Sequence, residues 1–313
     1  MNIKLKQILL KLKHFDYKNI IIYIALILIS YQFLYPLLRM IMTSLMSQED
    51  IINPTVNWLP KSTSFGNLTT ALRVLELRTT LVNSILFSGL LAVCQTLVSA
   101  LTGFAFARYQ FKFKNFLFIM VILTFILPTP IMLIPRTMMA VSIREIFGFQ
   151  MIGTPYPQVL MAITGQGIYS AILILIFYYF FRLIPRALDE AASIDGASPF
   201  QIFYHIILKL SLSTILIVFL FSFVWNWNET YITNTFIRGQ IQLLPTRLAM
   251  FDSIFSQYAS GGAGGSMNME QQRINEAYKM SATLISIIPL FILYLLVQRK
   301  LIKGIESAGI TGE

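Results

Sequence analysis

The chain has 313 residues, 56% of them hydrophobic and 12% charged, and 24 Lys and Arg outnumber 14 Asp and Glu to give a net charge of +10. Soluble domains carry about a quarter charged residues, so this composition excludes an ordinary soluble enzyme or binding module. The single cysteine, Cys94, excludes a disulfide framework and reads as an apolar thiol inside a span.

Crossing about 30 Å of hydrocarbon takes about 20 apolar residues in helical form. Such a run must be helical, because lipid offers no partner to an unpaired backbone group. Residues 1–19 form a basic segment with Lys4, Lys6, Lys11, Lys13 and Lys18. The first run, Ile20–Leu38, is too long for a signal peptide and lacks a small-x-small cleavage site, so it reads as an uncleaved span. An outer loop, 47–80, follows with Pro54, Pro60 and a chance-level Asn67-Leu-Thr69 glycosylation pattern. The second run, Leu81–Ala107, carries a polar stripe of Asn83, Ser84, Gln95, Thr96, Ser99 and Thr102. Polar groups in a span face a cavity or a partner helix, so Asn83 and Gln95 are candidates for a solute pathway, with helix packing as the alternative. The third run, Asn115–Pro135, should break or kink at Pro128, Pro130 and Pro135. A short outer loop, 136–157, separates it from the fourth run, Gly153–Phe181, whose helix should begin near Gln158.

The segment 182–209 is a polar island. Pro185 suits a first helical turn. Leu188 then shares a face with Ala191 or Ala192, leaving Asp189 and Glu190 off it. Asp195-Gly196 should end that helix, and Ser198-Pro199 should cap and start another. The fifth run, Leu210–Asn228, ends in Trp225-Asn-Trp-Asn228. Trp225, Asn226 and Asn228 there suit either a sugar, with its C–H face and hydroxyl rim, or the aromatic belt of a membrane protein. The longest outer loop, 229–279, contains Gly261, Gly262, Gly264 and Gly265 without the Gly-Lys-Ser/Thr ending of a phosphate loop, and reads as a flexible tip. The sixth run is Met280–Gln298, and 304–313 is a tail.

With the N-terminus inside, 14 of the 24 Lys and Arg fall on the short cytoplasmic segments, as the positive-inside rule asks. The net charge therefore needs no nucleic acid and is reinforced by anionic lipid. Both termini and the 182–209 loop lie inside. No HExxH, Gly-x-Ser-x-Gly or nucleotide-binding lysine is present, and His14 and His205 are far apart, so no catalytic or metal site is expected.

Two stretches carry a resemblance. Glu190-Ala191-Ala192, Asp195-Gly196-Ala197, Phe200 and Ile206-Ile207-Leu208 resemble the "EAA" loop of ABC importer permeases, with Lys209 where that pattern usually has proline. Gln298 to Gly309 resembles the tail of carbohydrate ABC permeases, most closely the maltose-G-type subunit. The resemblance implies an all-α polytopic membrane protein with six transmembrane helices over 20–303, the type I ABC importer permease fold with a cytoplasmic coupling helix. It would lie in the bacterial cytoplasmic (inner) membrane. It implies an ATP-driven, binding-protein-dependent importer of sugars or oligosaccharides, working by alternating access. The partners implied are a second homologous permease, two ATPase subunits that bind the ATP, and an extracytoplasmic solute-binding protein, with no cofactor in this chain. Glu190, Asp195 and Gly196 would shape the coupling lever, while Ala191, Ala192, Ala197 and Phe200 would fill a groove in the ATPase. Gly261–Gly265 would help contact the binding protein. Two alternatives stand: an ABC permease for another solute, such as a glycerol phosphoester or polyanionic saccharide, and a non-ABC channel or secondary transporter.

Overall fold

The computed structural model describes residues 17–259 and 269–310. Among them every regular element is helical, and the one extended pairing is an isolated antiparallel bridge between Met46 and Thr63. Two compact units form. One holds the described residues up to Ala71 and the last helix as far as Leu284; the other holds the described residues from Leu72 and the remainder of that helix.

The first unit begins with α1 (Tyr17–Ser44), longer than its apolar run and exposed on most faces. Helix α2 (Gln48–Ile52) is capped by Ser47, whose hydroxyl accepts the Asp50 amide. Buried Asp50 accepts the amides of Lys61 (2.9 Å) and Ser62 (3.3 Å), pinning the turn after it. The amide of buried Asn67, at the start of α3 (Gly66–Val74), donates to the Met46 carbonyl at 2.7 Å and to Thr43 at 3.2 Å. That pattern at Asn67-Leu-Thr69 is thus a structural tie between α1 and the loop.

The second unit is organised around α4 (Leu77–Arg108). Its 32 residues reach about 48 Å at the helical rise. Ser84, Ser88, Ala92, Gln95, Thr96, Ser99, Ala100, Gly103 and Ala107 recur every three or four residues and are all buried. A stripe of small residues lets helix backbones approach closely where lipid gives no hydrophobic drive to association. Then come α5 (Lys114–Ile126), α6 (Thr129–Phe147), α7 (Tyr156–Ile163), α8 (Ser170–Leu183), α9 (Arg186–Ile194) and α10 (Pro199–Ile202). A π-helical turn, Phe203–Ile207, and α11 (Leu208–Leu210) lead to α12 (Leu212–Asn228). Helices α13 (Tyr231–Ile237), α14 (Leu244–Ala249) and α15 (Phe251–Ala259) precede the last, α16 (Met269–Ile310).

Among the described residues, three helical stretches are long and apolar enough to cross a bilayer: Asn19–Ser44, Leu77–Arg108 and Arg273–Arg299. Six spans result if each sharply bent pair counts as one. Those pairs are α5 with α6 (107°), α8 with α9 (75°) and Pro199–Leu210 with α12 (83°). Two expectations change in detail. Of the three prolines in the third run, Pro128 alone sits at the break; Pro130 occupies the first turn of α6 and Pro135 is carried inside it. The fourth run is two helices rather than one from Gln158, because the chain unwinds over 164–169 between α7 and α8. The expected loops 136–157 and 229–279 also hold helices, α6 in the first and α13 to α15 in the second.

The tightest approach is α4 against α8. A Cβ on Gly103 would lie 2.7 Å from the Phe177 Cβ and 3.0 Å from the Tyr178 amide nitrogen. Backbone cannot give way as a flexible side chain can, so overpacking here should cost about 1–3 kcal/mol. Gly103→Val should lower the melting temperature of the purified permease by several degrees, whereas Gly89→Ala, with open space around its Cβ, should not. Equal melting temperatures for the two variants would contradict this packing.

Candidate functional site

The 182–209 loop is built from local rules. Pro185 stands at the N-cap of α9, one residue before the expected first turn. At the other end Gly196 adopts φ +82°, its amide bonds the Ser193 carbonyl (3.1 Å), and the Ala197 amide bonds the Ala192 carbonyl (2.9 Å). These two bonds form a Schellman closure, in which the residue at the glycine position must be left-handed. Ala192 and Ala197, the two ends of the longer bond, both pack on a core of Phe104, Phe177, Phe181, Ile202, Phe203 and Ile207. Ser198 and Gln201 then form a reciprocal capping box: the Gln201 side chain accepts the Ser198 amide at 2.7 Å, and the Ser198 hydroxyl accepts the Gln201 amide. The chain leaves through the π-helical turn and bends at Ser211, whose hydroxyl donates to Ile207 (2.6 Å). Lys209 is exposed inside α11, which ends one residue later, at Leu210, without a proline.

Facing is where sequence and structure part. The inward residues of α9 are Asp189 and Ala192: Ala192 shares its face with Asp189 and not with Leu188, which is exposed together with Ala191 and Glu190. Inward-facing Asp189 meets Arg108, at the end of α4. The Arg108 Nε lies 3.1 Å from Asp189 Oδ2, and its Nη2 donates to the Ile184 carbonyl at 2.8 Å, with the two side chains 5% and 19% exposed. The Nε contact is an ion pair without hydrogen-bond alignment, and Asp189 Oδ1 has no hydrogen-bond partner. Burial raises the Asp189 carboxyl above the usual range, with Arg108 and Arg186 opposing and Glu190 adding to the rise. Burial and the Asp189 charge likewise raise the Tyr109 phenol, against Arg108. Outward stand Glu190, Ala191, Asp195 and Phe200, together with Ile194, which is 86% exposed and which the sequence reading passed over.

A second polar locus lies at the 164–169 break. Gln95 uses its full capacity: Nε2 donates to the Ile168 carbonyl (3.2 Å) and to Ser170 Oγ (3.1 Å), while Oε1 accepts from Ser222 and from Asn226 Nδ2 (2.6 Å). It ties α4, the start of α8 and α12 together. Arg136 donates to the Gln166 carbonyl at 3.2 Å. A side chain on Gly167 would collide with Gln95. The break opens on a small cleft of about 80 Å³ lined by Thr129, Arg136, Gln166, Tyr169, Ser170 and Glu229, among others. Gln95 and Asn226 are thus brought together but bond each other. Trp225 packs edge-on to Tyr169 and stacks on Phe221. Asn83 donates to the Gln242 carbonyl, and exposed Asn228 to that of Val224. Gly261, Gly262, Gly264 and Gly265 lie outside the described residues.

Residues 96–307 match the family described as "Binding-protein-dependent transport system inner membrane component". The chain belongs to this family. It is the membrane permease subunit of an ABC importer that takes its solute from a binding protein, and such permeases work with an ATPase. The chain is similar to a provisionally named ABC transporter permease protein, ORF2, of Caldicellulosiruptor sp. (strain Rt8B.4), 27% identical over 88% of this chain and 91% of that one. It is also similar to the sn-glycerol-3-phosphate transport system permease protein UgpE of Brucella abortus (strain 2308), 28% identical over 92% and 95%. Its fold resembles a chain in a crystal structure of a bacterial ABC transporter involved in the import of the acidic polysaccharide alginate. There the TM-score is 0.71 and the identity 18%, over 90% of this chain and 96% of that one.

For the permease loop, the Gly196 geometry separates two kinds of substitution. Nothing lies within 4 Å of its missing Cβ, so the penalty is conformational rather than steric. A β-branched residue strongly resists φ +82°, whereas Asn visits that region. Gly196→Val should reduce ATP-driven uptake at least tenfold, with Gly196→Asn within about threefold of the parent. Equal uptake by the two variants would contradict the Schellman role.

Proposed function

We propose that the 182–209 loop is the cytoplasmic lever of this permease and that α9 seats in a groove of a separate ATPase. The observation that carries the reading is the exposed apolar pair Ile194 (86%) and Phe200 (68%), held on two short helices whose inner faces are anchored to the core. An exposed apolar knob on a rigid base is a docking shape. Both termini then lie in the cytoplasm, with 47–80, 136–157 and 229–279 outside and 304–313 as a cytoplasmic tail. Two ATPase subunits bind the ATP, this chain carries no cofactor, and a second homologous permease completes the pathway. ATP-driven closure moves the lever, and the spans rock between inward- and outward-facing arrangements as rigid bodies.

The solute on this reading is a sugar, oligosaccharide or sugar derivative, as the tail resemblance suggests. Half-buried Arg136 beside the cleft favours one with an anionic group, consistent with the solutes named for the glycerol-phosphate and alginate relatives. Asn83, Gln95, Trp225, Asn226 and Asn228 shape the pathway, Gln95 and Asn226 by fixing its wall. Gly261–Gly265 contacts the binding protein.

Affinity purification of the permease should bring an ATPase with it. Ile194→Asp, which puts a charge in the apolar contact, should reduce the co-purified ATPase about tenfold, or about 1.4 kcal/mol of binding. Undiminished recovery with Ile194→Asp would overturn the docking surface.

A further inference from the structure

The lever must transmit force, and nothing assigned so far explains how α9 is held at its angle. The turn from α8 into α9 is 75°, and the Ile184 carbonyl at the corner has lost its helical partner. Arg108 fills that gap and reaches across to Asp189 in the same gesture. Its side chain is only 5% exposed, so water competes poorly for either contact. The hydrogen bond from Nη2 to the Ile184 carbonyl fixes the direction of the planar guanidinium, and the Nε–Asp189 ion pair then sets its distance to α9. Arg182 and Arg186 flank the turn and are exposed, and Glu190 points outward, so Arg108 is the basic group inside the joint.

We propose that Arg108 and Asp189 are positioning residues that lock the coupling helix to α4, so that movement of α9 is passed to the broken span instead of being lost at the α8–α9 corner. The proposal rests on the lever reading above. Arg108 stands about 20 Å along α4 from Gln95 at the helical rise, and Gln95 holds the 164–169 break. One rigid helix therefore joins the lever to the cleft. Burial disfavours the charged Asp189 carboxyl, which accords with a pair retained for geometry, since buried ion pairs add little stability over well-packed apolar residues.

The test uses the full transporter in membrane vesicles, with Cys94→Ser and a reporter thiol from Thr129→Cys in the cleft. A membrane-impermeant maleimide reads the labelling rate with and without ATP and vanadate, and ATP hydrolysis is measured on the same vesicles. The parent should change its labelling rate at least fivefold on trapping. Asp189→Asn and Arg108→Gln should reduce that change below twofold while ATP hydrolysis stays within twofold of the parent. Arg108→Met/Asp189→Leu, which removes both charges and leaves an apolar joint, should assemble with the ATPase yet remain uncoupled. If the apolar double variant regained parental nucleotide-dependent labelling, or if every loss matched the amount of assembled complex, the pair would be structural and the proposal overturned. If the single variants labelled like the parent, the proposal would fall with the lever intact. If the parent itself showed no nucleotide dependence, the lever reading would fall first and the proposal with it.

Discussion

A backbone that leaves its helix inside a membrane must find partners for the groups it frees, and this requirement organises the permease. The chain unwinds or turns sharply at several places, and at two of them, the 164–169 break and the α8–α9 corner, side chains receive three freed carbonyls. Gln95 takes Ile168, Arg136 takes Gln166 and Arg108 takes Ile184. Two of those three donors belong to α4, which also carries the small-residue stripe against which α8 packs. Polar residues that look costly in an apolar helix are therefore what permit the chain to break where a transporter needs a cleft and a lever.

The lever itself follows from short-range chemistry. Ala192, Gly196 and Ala197, from the Glu190-Ala-Ala and Asp195-Gly-Ala blocks, build the Schellman closure: glycine where φ must be positive, and small residues where the two ends of the longer bond meet the core. The spacing that carries the family resemblance is a folding instruction. Docking is left to the side chains that turn away, Ile194 and Phe200.

Much of this was legible in the sequence. Six apolar runs, the end of α9 at Asp195-Gly196 and the restart at Ser198-Pro199 all come from local signals, and those signals act within one helical turn. What escaped depended on distant partners. Inward-facing Asp189 pairs with Arg108, some eighty residues earlier in the chain, a pairing that no helical periodicity encodes. The break inside the fourth run has a local signal in Thr164-Gly165-Gln166-Gly167, which interrupts the apolar run, but the donors that make it tolerable lie on α4 and α6. Gln95 stands out as a polar group in an apolar run and Asn226 as an amide beside Trp225, but their mutual bond depends on how α4 and α12 are placed.

The central claim, that the 182–209 loop meets the ATPase, is tested most directly by cross-linking. Phe200→Cys in a Cys94→Ser background would be treated with a short bifunctional maleimide in cells that also produce a single-cysteine ATPase. The account predicts one adduct with the combined mass of permease and ATPase, and none from a cysteine placed at exposed Trp58 in the 47–80 loop. An adduct from Trp58→Cys, or none from Phe200→Cys, would contradict it.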